Sequence, residues 1–114
     1  MRKLVLKPKM SMLISDHIET GIHCGHSRAY KHTDSPGPEK IEKDILDCIM
    51  IEFDENFLFD DDLKDYRRLR RLIAKSLKVG MMHSYKHTDD PSVDTIVHHC
   101  SNDIMNELSE KVKM

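Results

Sequence analysis

Tyr30-Lys31-His32-Thr33-Asp34-Ser35-Pro36 and Tyr85-Lys86-His87-Thr88-Asp89-Asp90-Pro91 are the stretches whose residue types and spacing suit chemistry. They are one heptapeptide with a single substitution. Tyr30 and Tyr85 offer rings that can stack on a base. Lys31 and Lys86 supply positive charge, and His32, His87, Thr33 and Thr88 supply hydrogen-bond donors. A proline follows each stretch where a helix is expected to begin, and the free N–H groups of a helix N-terminus favour phosphate. These eight residues are therefore the candidate ligand-binding set for an anionic, nucleotide-like molecule or a nucleic acid. Asp34 and Asp89 oppose that reading, because their charge repels phosphate. A competing reading makes the loops caps, with Thr33-Asp34-Ser35 and Thr88-Asp89-Asp90 satisfying the helix N–H groups themselves.

Other chemistries are carried less well. His32 with Asp34, or His87 with Asp89, has the ingredients of a general base. There is no phosphate-binding glycine loop and no nucleophile elbow, so the chain reads as non-enzymatic. His23-Cys24-x-His26 and His98-His99-Cys100 hold zinc-type donors, but no Cys-x2-Cys occurs and the two clusters do not correspond between copies. No metal site and no cofactor is assigned, and His-based metal binding stays an alternative. A second basic surface is expected on the third helix, where Arg67, Arg68, Arg70 and Arg71 cluster. The overall pI near 6.4 argues against a dedicated DNA binder.

The elements that must position these loops follow from an internal repeat. At an offset of 55, residues 30–55 fall on 85–110 with eleven identities among 26 positions. Upstream, an offset of 59 pairs Leu13-Ile14 and Gly21 with Leu72-Ile73 and Gly80. That alignment leaves Arg28-Ala29 as an insertion in the first copy. Gly21 and Gly80 then read as helix stops. Ser35-Pro36 and Asp90-Pro91 read as N-cap and first helical residue. The lines Ile41, Ile45, Ile49, Phe53 and Ile96, Cys100, Ile104, Leu108 run at steps of four and predict core-facing stripes. Leu63, Tyr66, Leu69, Ile73 and Leu77 predict a third. Asp60-Asp61-Asp62 offers N-caps for the third helix.

The expected fold is an all-α bundle made of two tandem helix–loop–helix units, residues 10–55 and 63–113, in a single domain spanning 1–114. Composition fits a compact helical protein, with 39% hydrophobic and 33% charged residues. No run of about 18 apolar residues occurs, so no membrane span is expected. Three cysteines without paired spacing suggest free thiols in a cytoplasmic protein. A homo-oligomer is expected, with a protein partner as a further option. Small duplicated helical proteins without catalytic signatures also suggest, by association, a phage-type accessory or inhibitory role. In the competing view the chain is a helical interaction or oligomerisation module.

Overall fold

The computed structural model describes residues 2–114. Four helices form: α1 (Met10–Ala29), α2 (Pro38–Asn56), α3 (Asp62–Ser84) and α4 (Val93–Lys111), with no strand among the described residues. The protein is a small all-α bundle. No helix in it is long and apolar enough to cross a membrane.

The stripes at steps of four become the core. Ile41, Ile45, Ile49 and Phe53 of α2 are buried, as are Ile96, Cys100, Ile104 and Leu108 of α4. They meet Ile14, Ile18 and Ile22 of α1 and Leu69, Ile73 and Leu77 of α3 in one cluster. Each fully buried Ile or Leu contributes roughly 1.5–3 kcal/mol of transfer free energy, so this cluster drives the assembly. Leu63 departs from expectation. It lies on the exposed first turn of α3 rather than in the core.

Helix α1 packs most closely on α2, and α3 on α4. The two hairpins then meet through α1 against α4 and α2 against α3, leaving α1/α3 and α2/α4 as diagonals. Alternating chain direction puts loops 30–37 and 85–92 at one end. The 57–61 connector and both chain ends lie at the other.

Both expected glycine stops are corrected. Helix α1 runs eight residues beyond Gly21, and α3 runs four beyond Gly80. A Cβ on Gly25 would lie 2.3 Å from the Ile45 Cα, one on Gly21 2.7 Å from the Ile49 Cα, and one on Gly80 2.6 Å from the Cys100 Cα. These glycines sit inside helices because the partner backbone occupies the space a side chain would need.

The upstream offset is corrected too. A constant 55 maps buried Ile14, Ile18, Gly21, Ile22, Gly25 and Ala29 onto buried Leu69, Ile73, Ser76, Leu77, Gly80 and Ser84. It also maps the bounds of α2 onto those of α4. No insertion separates the copies. An offset of 59 is a slip of four residues, close to one helical turn, so it lays an apolar stripe back on itself.

Helix starts also shift. N-caps are Gly37 and Ser92 rather than Ser35 and Asp90. Starting α2 at Pro36 would place Pro38 at the third position, where a capped helix uses the N–H that proline lacks. Starting at Pro38 removes that conflict. In α4 the Ser92 Oγ accepts the Thr95 N–H at 3.2 Å. The Asp triplet behaves as expected. Asp61 Oδ1 accepts the Lys64 N–H, and the Asp65 carboxylate accepts the Asp61 N–H, both at 3.0 Å.

Replacing Gly25 with Ala drives a methyl into the α2 backbone. Overpacking of this kind costs ~2 kcal/mol or more, despite the better helix propensity of Ala. Gly37→Ala meets nothing closer than a flexible Glu39 oxygen at 3.4 Å. It should stay within about 0.5 kcal/mol of wild type in urea melts.

Candidate functional site

Both heptapeptides adopt the same turn. Tyr30 and Tyr85 are the C-cap residues of α1 and α3, with φ/ψ of −87/0 and −95/7. The next N–H, of Lys31 or Lys86, donates to the carbonyl three residues back, Arg28 or His83, at 3.2 and 3.4 Å. Thr33 Oγ1 accepts the Ser35 N–H at 3.2 Å, and Thr88 Oγ1 accepts the Asp90 N–H at 3.1 Å. The threonines therefore tighten their own loops and cap neither following helix. Pro91 is buried and Pro36 half-buried, which seats each loop on the bundle end.

The two loops meet. Tyr30 and Tyr85 are each half-buried against the core. Burial, first, and then the neighbouring Tyr30 hydroxyl and Asp90 hold the Tyr85 phenol above its usual range. Asp90 of the second loop also reaches the first hairpin, where it acts on His26. The His26 ring stacks obliquely on Tyr30, with centroids 4.8 Å apart. Half-buried Tyr30, Tyr85 and His26 thus form the floor of the loop end, with Asp90 exposed beside them.

Above that floor, Lys31, His32, Thr33, Asp34, Lys86, His87, Thr88 and Asp89 are exposed. Among the described residues, the Lys, His and Asp side chains of this set make no hydrogen bond or ion pair within the fold. Two lysines face three aspartates (Asp34, Asp89, Asp90) at this end, so its positive charge is local rather than general.

The first loop has an anchor that sequence reasoning missed. Asp44, 2% exposed, accepts a hydrogen bond from Lys40 Nζ on Oδ1 at 3.2 Å. Nζ also lies 3.0 Å from Oδ2, which has no hydrogen-bond partner among the described residues, and Arg28 Nε is 4.0 Å from Oδ1. Lys40 shares α2 with Asp44, so the longer Arg28 contact is the one that spans the loop, from the end of α1 to α2. At offset 55 the equivalent of Asp44 is His99, and the second loop lacks this anchor. Two His–carboxylate pairs were also invisible. His17–Glu52 joins α1 to α2 and His83–Asp103 joins α3 to α4, each at 2.9 Å. Their partners lie 35 and 20 residues away.

The secondary basic surface is not part of this end. Arg70 is engaged by Asp47 at 3.1 Å, which links α3 to α2. Arg67, Arg68 and Arg71 are exposed, but they lie 14 to 18 residues before Tyr85 on α3. At ~1.5 Å per residue that is roughly 20–27 Å from the loop. The metal candidates do not converge either: no three of His, Cys, Asp and Glu come together among the described residues.

Comparison with protein-family models, curated proteins and solved structures finds no match. The functional reading therefore rests on the geometry of this end.

The cysteines separate by environment. Cys24 is exposed on α1 beside buried Cys48 on α2. Burial, then the Cys24 thiol, push Cys48 up to about 11, against a smaller opposing effect of Arg28. Burial raises Cys100 to about 12. Since the thiolate is the reactive form, a disulfide reagent at pH 8 should titrate one fast thiol per native chain, and Cys24→Ser should remove it.

His26 gives a pH dependence. Burial, then His23, lower its pKa below the ordinary 6.5, while Asp90 opposes this. The unfolded chain therefore binds this proton more readily than the folded one. The His26 contribution is intact above pH 6.5 and is lost as pH falls below it. Urea melts at stepped pH should show this decline, and it should be shallower in His26→Gln.

Proposed function

We propose that this is a non-enzymatic binding protein that takes an anionic, nucleotide-like ligand across its two Tyr-Lys-His-Thr-Asp loops. One observation carries the reading: between two copies that have diverged elsewhere, the loops keep Lys and His at positions the fold does not use. Tyr caps a helix, Thr closes the turn and Pro seats the loop, so each has a structural reason to persist. Lys31, His32, Lys86 and His87 are exposed and bond to nothing within the fold, and the two pairs crown one end of the bundle.

In this reading Lys31 and Lys86 neutralise phosphate charge, and His32 and His87 donate to its oxygens. The outer faces of Tyr30 and Tyr85 offer a surface for a base. Asp34 and Asp89 limit affinity for bare phosphate and favour a ligand that also presents donors, as a nucleobase or ribose does. Arg67, Arg68 and Arg71 form a separate surface that only a long polyanion would reach together with the loops. A phage-type accessory or inhibitory role in the cytoplasm is compatible with such a protein.

Equilibrium dialysis against ATP, and anisotropy of a labelled single-stranded oligonucleotide, test the reading. Each charge-assisted bond is worth about 1.5–3 kcal/mol, so Lys31→Ala with Lys86→Ala should weaken binding at least ~10-fold. Melting should not change, because neither lysine side chain bonds within the fold. Wild-type protein that binds neither probe would overturn the proposal. So would a double variant that binds normally but melts lower, which would make the loops structural only.

A further inference from the structure

The opposite end of the bundle carries an acidic, apolar groove. A recess of about 580 Å³ is lined by Asp54, Phe57, Leu58, Phe59, Asp62, Leu63 and Tyr66. Phe57 and Phe59 turn inward onto the core, while Leu58 and Leu63 are exposed. The lining contains two carboxylates and no base. Glu55, Asp60 and Asp61 extend the negative charge along the connector. An adjoining recess of about 420 Å³ continues past Met10 to Val112. Leu58, fully exposed between two inward-facing phenylalanines, has no role in this fold's own core.

The segment before α1 has the opposite character. Arg2-Lys3-Leu4-Val5-Leu6-Lys7-Pro8-Lys9 carries four bases and no acid around three apolar residues. Leu4 is 92% exposed, Val5 78% and Leu6 90%. Lys9 is extended, and Pro8 precedes it. The molecule is 57 Å long, whereas its longest helix, at ~1.5 Å per residue, spans roughly 35 Å. The arm therefore stands off the bundle although its root, Met10, lines the adjoining recess. Its own groove stays open.

We infer that two copies of this chain exchange these arms, each laying Lys3–Lys7 into the groove at the connector end of the other. In extended backbone Leu4 and Leu6 share one face and enter between Leu58, Leu63 and Tyr66. Lys3, Val5 and Lys7 lie on the opposite face, and the long Lys3 and Lys7 side chains reach over the edges of the strand toward the exposed Asp54 and Asp62 at the rim. The bases of the arm meet the acids of the connector groove, which steers pairing, whereas the adjoining recess also carries Arg68, Lys111 and Lys113 and so directs the arm to the connector side. The exchange is isologous, so it closes at two chains and buries both arms at once. The Tyr-Lys-His-Thr-Asp loops would then face outward at the two far ends of the dimer.

Sedimentation equilibrium on the full-length chain tests this. Wild type should be a dimer that weakens with added salt. Leu4→Asp with Leu6→Asp should raise its dissociation constant at least ~100-fold, with helicity unchanged because both residues lie outside the helices. Lys3→Glu with Lys7→Glu should weaken the dimer, and so should Asp54→Lys with Asp62→Lys. Combining the two pairs should restore it, which no general loss of folding would do. Mixing an arm variant with a groove variant, Leu58→Asp with Leu63→Asp, should recover a heterodimer held by one arm. A wild-type monomer, a dimer indifferent to Leu4 and Leu6, or a charge swap without restoration would each overturn the proposal.

Discussion

The close approach of backbones at Gly25 and Gly80 is the constraint on which the rest of the structure depends. Helices normally pack with axes about 8–10 Å apart, the spacing set by side chains at the contact. Here Gly25 lies against the Cα of Ile45 and Gly80 against that of Cys100, so the hairpins close more tightly than side chains would allow. Small residues extend this seam on both sides, as Gly21 and Ala29 in α1 and as Ser76 and Ser84 in α3. The two serines satisfy their hydroxyls on carbonyls of their own helix, Leu72 and Gly80, at 2.9 and 2.8 Å. A polar group is thereby accommodated within an otherwise apolar seam. Glycine inside a helix costs about 1 kcal/mol against alanine, which the gained packing offsets.

That seam also places the loops. Tyr30 follows Gly25 by five residues and Tyr85 follows Gly80 by five, so each tyrosine leaves its helix in the same orientation to the crossing. The turns then repeat bond for bond, and both tyrosines pack against the core. What differs between the copies lies outside the seam. Asp44 of α2 faces Arg28 of α1 at 4.0 Å beneath the first loop, whereas the second copy has His83 and His99 at those two positions, with ring centroids 5.9 Å apart.

Sequence periodicity made the architecture legible because every core stripe of α2 and α4 falls on a strict step of four. The Asp61 cap was legible for a similar reason: its bonds span three and four residues. Helix ends were not, because a glycine has two opposite meanings. It marks a stop when the chain must turn and a contact when another backbone must come near, and Gly21, Gly25 and Gly80 are of the second kind. Nothing local separates the two cases. The slip to an offset of 59 has the same origin, since α1 and α3 share only Ile18/Ile73 and Gly25/Gly80 at the true register. The loop residues could be picked out, but not which ones the fold consumes. The role of Thr33 and Thr88 within their own turns depends on where α2 and α4 begin, and that depends on Pro38 and Ser92. Side-chain pairs such as His17–Glu52 and Arg70–Asp47 join residues 35 and 23 apart and leave no trace in local pattern.

A constant register of 55 across all four helices is the form a homodimer of one helical hairpin takes once its two genes are joined end to end. In such an ancestor the α1–α4 and α2–α3 contacts would have been the same contact made twice, under one sequence. Fusion releases that identity. The Arg70–Asp47 pair now exists on one side only, where the symmetry-related positions hold Ser15 and Asn102. The two hairpins can therefore no longer trade places, and each loop is free to specialise without the other having to change.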